Sequence, residues 1–98
     1  MADIIKTNYP AMEAMARSCR EAADKLQETI NLLNNIASQL DGGAMQGSFG
    51  ERYSNALRNQ GVKSLQKLVT KFNEESSDIL AAKQDMQNAD NQAAGGFR

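Results

Sequence analysis

Two apolar rows of helical period, split by a glycine-rich interruption, constrain this chain more than any other feature. Met12, Met15, Cys19, Ala22, Leu26, Thr29, Leu33, Ile36 and Leu40 recur at alternating steps of three and four, a heptad seam in which only Thr29 is polar. A second row, Leu65, Leu68, Phe72, Glu75, Ile79, Ala82, Met86, Ala89 and Ala93, follows at the same steps. Between them Asp41 to Gly50 carries Gly42, Gly43, Gly47 and Gly50. A connection this short turns two helices back on one another instead of joining them into one rod. The expected fold is all-α: an antiparallel helical hairpin in one domain over 1–98, with helix one about 8–40, a turn about 41–48, helix two about 49–93 and a flexible tail at 94–98.

Local signals agree with those limits. Thr7 or Asn8 can cap the first helix, Pro10 suits a first turn where its missing N–H costs nothing, and Glu13 adds an acid near the positive helix end. Gly42 or Gly43 suits a left-handed cap, and Ser48 with Glu51 three residues on reads as a capping box. Phe49, Tyr53, Ala56 and Leu57 run in a different phase from the row that begins at Leu65. A phase shift or kink is therefore expected near Gly61. With the turn at 41–47, Asn8 falls level with about Leu80, and everything after Leu80 overhangs the hairpin.

Composition removes several functions. Eleven basic and twelve acidic side chains leave a net charge of -1, so no field draws in nucleic acid or an anionic membrane. There is no His, and Cys19 is alone, so neither a disulfide within the chain nor a metal or other cofactor site is expected. The glycines follow no strand and match no nucleotide-binding spacing, and no nucleophile elbow or carboxylate cleft is present; the chain does not read as an enzyme. The first ten residues lack a basic segment followed by an apolar run, so no general-pathway signal peptide is expected. No transmembrane segment is expected either, since nowhere do about 18 apolar residues run together. Lys63, Lys67 and Lys71 form a row one turn apart, most simply a solvated face, and the register places Lys63 and Lys67 near Glu21 and Asp24 of helix one or of a second chain.

No charged residue lies between Glu28 and Asp41, and the apolar surface there is wider than one sister helix can cover. Ile30, Leu33, Ala37 and Leu40 are the candidate dimer interface, through which two hairpins would form a four-helix bundle, with a second copy or a paralogous hairpin as partner. At the far end, Met86, Asp90, Ala93 and Phe97 lie at steps of four, three and four, one helical face that suits an address better than a core.

Two heptad-bearing helices, a glycine-containing turn and this tail together resemble the WXG family, the small ESAT-like proteins of type VII (ESX) secretion, over nearly the whole chain. The family's Trp-x-Gly turn corresponds to Met45-Gln46-Gly47, with Phe49 or Tyr53 as the aromatic that enters helix two; Met45 stands where the family has Trp. The family's export motif, a hydrophobe followed by an acid at +4 and apolar positions at +7 and +11, is filled by Met86, Asp90, Ala93 and Phe97. The resemblance implies a secreted substrate or effector, or a chaperone partner for a larger substrate. Such a protein is held in the cytoplasm until it meets the secretion ATPase of a type VII system, and exported without a signal peptide. The alternatives are a needle-type filament subunit, whose turn is usually proline-containing whereas this one is not, and a coiled-coil adaptor unrelated to secretion, which leaves the tail face unexplained.

Overall fold

The computed structural model describes residues 8–45 and 47–95. Every element among them is helical, in a hairpin of two long arms. Asn8 caps the first arm, its Oδ1 accepting from the Ala11 amide at 3.0 Å, and Pro10 sits in the first turn of α1, Tyr9–Gln39. The helix widens into a π turn, Leu40–Ala44, and breaks at Gly43, whose φ of 99° is open to glycine. The chain re-enters as α2, Ser48–Ala56, passes through a second π turn, Leu57–Val62, and continues as α3, Lys63–Gly95. That second wide turn is the phase shift expected near Gly61.

The capping box does not form. Gly47, at φ 74° and ψ -162°, occupies the cap position, so Ser48 is already the first helical residue and no side chain caps α2. A Cβ at Gly47 would meet nothing within 4 Å, so its backbone conformation and not lack of space demands glycine.

The described chain measures 77 × 22 × 15 Å. A helix with its side chains is about 10–12 Å across, so the hairpin is one layer of helices and its only enclosed region is the strip between the arms. Along α1 that strip is Ala16, Ala23, Ile30 and Ala37, one residue every seven, all buried. From the other arm Val62 and Ser76 are buried and Val69 is half-buried. Ser76 is accommodated because its hydroxyl donates to the Ala16 carbonyl at 2.9 Å and accepts from Arg20 Nε at 3.3 Å.

This corrects the sequence-derived seam by half. Its positions Met12, Cys19, Leu26, Leu33 and Leu40 are half-buried along the edge of the strip. Met15, Thr29 and Ile36, the other expected core positions, face outward, while their neighbours at +1 do the packing. On α3, Leu65, Phe72 and Ile79 are half-buried edge residues, but Leu68 and Glu75 are exposed and Val69 and Ser76 take their place. Size explains the choice at Ala16, Ala37 and Ser76, because alanine and serine let two helix axes approach where methionine, isoleucine and glutamate would hold them apart, whereas Ile30 goes inside because the residue beside it, Thr29, is polar.

The overhang is also shorter than expected. Side chains of α1 reach Lys83 through Glu13 and Asp90 through Tyr9, so contact between the arms extends ten residues past Leu80. One residue of this is the extra one that the second π turn inserts into the second arm, and because helical side chains lean toward their own N-terminus, Tyr9 and Asp90 on antiparallel arms reach toward each other.

Gly50 closes the tip. A Cβ there would stand 3.1 Å from the carbonyl oxygens of both Leu40 and Met45, two backbone atoms that cannot swing aside. Gly50→Val is expected to cost about 1–3 kcal/mol by overpacking, seen as a lower thermal midpoint; an unchanged midpoint would show that the tip opens freely.

Candidate functional site

Each edge row lies between the enclosed strip and a further row that meets solvent. On α1 the outer row is Met15, Ala22, Thr29 and Ile36; on the second arm it is Gly61, in the π turn, followed by Leu68, Glu75 and Ala82 on α3. Because the arms run antiparallel, both outer rows emerge on the same side of the layer, and with the half-buried edges they make one broad apolar side. Met15 is 58% exposed, Ile36 38% and Leu68 46%. Among the expected interface residues, Ile30 and Ala37 are consumed inside the hairpin, whereas Leu33 and Leu40 stay half-buried on this side. Leu33 Cδ1 lies 3.6 Å from where a Gly61 side chain would begin, so Gly61 makes a dent bounded by Tyr53, Leu57 and Leu65.

The tip carries exposed Met45 next to Phe49 and Tyr53, both exposed, their ring centroids 5.1 Å apart. Gln46 lies outside the described residues. Beneath the rings, Arg58 Nη1 meets Asp41 Oδ2 at 2.6 Å, bridging the two π turns. The Ser54 hydroxyl, followed by the Arg58 guanidinium, holds the Asp41 carboxyl below its ordinary range.

At the opposite end Met86 continues the Leu65, Phe72, Ile79 edge row at the same seven-residue spacing and is 42% exposed. Asp90 and Ala93 are exposed on the same face of α3, whereas Phe97 lies outside the described residues. Asp90 is not free of the first arm, since it accepts a hydrogen bond from the Tyr9 hydroxyl. Lys83, two turns before Asp90, pairs with Glu13 and holds that carboxyl below its ordinary range. The sequence pattern missed Tyr9. Its signal was the adjoining cap, since Asn8 and Pro10 fix the residue between them at the start of the helix.

Lys63, Lys67 and Lys71 make no ion pair with Glu21 or Asp24 among the described residues. They are exposed on the side of α3 opposite the strip. Among the described residues no group of metal-binding side chains converges, and no helix is long and apolar enough to cross a membrane.

The described residues form a one-layer hairpin with an exposed apolar side and aromatic rings at its tip. The chain matches the model of the WXG100 family, proteins of 100 residues with WXG, over residues 4–91, and belongs to that family. It is thereby a small helical protein associated with type VII secretion, a class of proteins that form dimers and are not known as enzymes. Neither the curated proteins nor the solved structures yield a match. In the turn, Gly47 has a backbone conformation that only glycine adopts with ease.

Proposed function

We propose that this protein is exported by a type VII system, as a secreted substrate or as the chaperone partner of one, and acts by protein–protein association. The apolar side takes a second hairpin of the same kind, another copy or a paralogue, giving a four-helix bundle. Met86, Asp90 and Ala93, with Phe97 beyond them, form the address that the secretion ATPase reads, an apolar helix face laid in a groove with one carboxylate to orient it.

The observation that carries this reading is that the hairpin's enclosed strip is complete without Met86, Asp90 and Ala93, which leaves their face exposed on ordered helix. A core role predicts that changing them damages the fold; an address role predicts that it does not. Asp90→Ala and truncation after Ala89 are therefore expected to leave helicity and dimerisation nearly intact. Both should abolish the appearance of protein in the culture supernatant of a host with the matching apparatus. Undiminished export after truncation would remove the tail from the mechanism.

A further inference from the structure

Tyr9 begins α1 with its backbone set on both sides, by the Asn8 cap before it and by Pro10 after it. Its half-buried ring lies against α3, in a notch shared with Gln84, Gln87, Asp90 and Asn91. There its hydroxyl donates to Asp90 Oδ2. The neighbouring Glu13–Lys83 pair joins the same two arms, one turn after Tyr9 on α1 and two turns before Asp90 on α3, so the ring is not on a loose end. The phenol pKa is raised, first because the carboxylate holds its proton and further through desolvation and the carboxylate's charge.

An aspartate near the end of a surface helix samples several rotamers, and a receptor that needs one of them must order it on binding. Tyr9 removes that cost. It engages one carboxylate oxygen while Asp90 as a whole stays exposed, leaving the second oxygen available to a partner. We propose that Tyr9 is a positioning residue for recognition of the tail: it holds the Asp90 carboxylate in place, so the address is displayed by both arms of the hairpin and not by α3 alone. The inference rests on the reading of Asp90 as part of that address.

Tyr9→Phe keeps the ring and deletes only the hydroxyl. The variant is expected to retain helicity, dimerisation and thermal midpoint while its exported fraction falls by roughly three- to tenfold, the range for one side chain that must be ordered on binding. Asp90→Ala, run beside it, should lose export altogether. In the full-length Tyr53→Phe background the remaining phenol should titrate above the ordinary tyrosine range, and Asp90→Asn should return it toward that range. Full export of Tyr9→Phe beside failed export of Asp90→Ala would overturn the positioning role and leave the address reading standing. Full export of Asp90→Ala would bring down the address reading and this inference with it. A phenol titration that does not respond to Asp90→Asn would show that the contact is absent in solution, which also overturns the proposal.

Discussion

Ile30→Asp is expected to unfold the hairpin, with loss of most of the helical circular dichroism at room temperature. Ile30 is 1% exposed and is the only large apolar side chain fully enclosed between the arms among the described residues. Its neighbours along the strip are Ala23 and Ala37, both apolar and buried. Burying an unpaired charge costs several kcal/mol, and total stability for a small domain is on the order of 5–15 kcal/mol. A one-layer hairpin belongs at the low end of that range, because most of its side chains touch solvent. Ile30→Ala provides the graded control, at about 2–5 kcal/mol. Native helicity in the aspartate variant would show that position 30 reaches solvent, and would overturn the placement of the strip.

Ile36→Asp, alone or with Leu68→Asp, is expected to do the opposite: dissociate the bundle and leave each hairpin folded. Both side chains are substantially exposed within a single chain, so a carboxylate there costs the monomer little, whereas between two hairpins it would be buried without a partner. Sedimentation gives the mass and circular dichroism the helicity on the same samples. A stable dimer would place the interface elsewhere. A monomer without helicity would show that the hairpin folds only against its partner. Leu33→Asp tests the interface less cleanly, because Leu33 also packs over Gly61 within its own hairpin.

The helices, their antiparallel sense, the cap at Asn8, the break at Gly43 and the disturbance near Gly61 were legible because each is set by local chemistry. Which faces meet was only half legible. The row Met12, Cys19, Leu26, Leu33, Leu40 has apolar neighbours on both flanks, Met15, Ala22 and Ile36 on one and Ala16, Ala23, Ile30 and Ala37 on the other. Hydrophobicity alone does not choose between them. Side-chain volume does at Ala16 and Ala37, whose outward neighbours are Met15 and Ile36, whereas at Ile30 it is the polarity of Thr29 that decides. The length of the overhang was misjudged for a different reason: it depends on the register through two wide turns and on how far single side chains such as Tyr9 reach, and heptad spacing reports neither. Ser48 looked like a cap because its residue type is right for one, but the conformation of Gly47 moves the helix start one residue earlier.

The second wide turn bears on how a hairpin of this kind can change length. Buried positions recur every seven residues along α1 from Ala16 to Ala37, and Val62, at the end of the π turn, and Ser76 on α3 keep that period, but eight residues separate Ser54 from Val62. A π turn is an α-helix that has taken in one residue without breaking, and here the surplus is absorbed within Leu57–Val62 before the seven-residue rows resume. Elsewhere in either arm, a single insertion would rotate all that follows by about 100° and turn the packed face to water. At this joint the two arms can differ by one residue and still close on the same alanines, so lineages descended from a common hairpin can gain or lose a codon here while every downstream side chain keeps its neighbour.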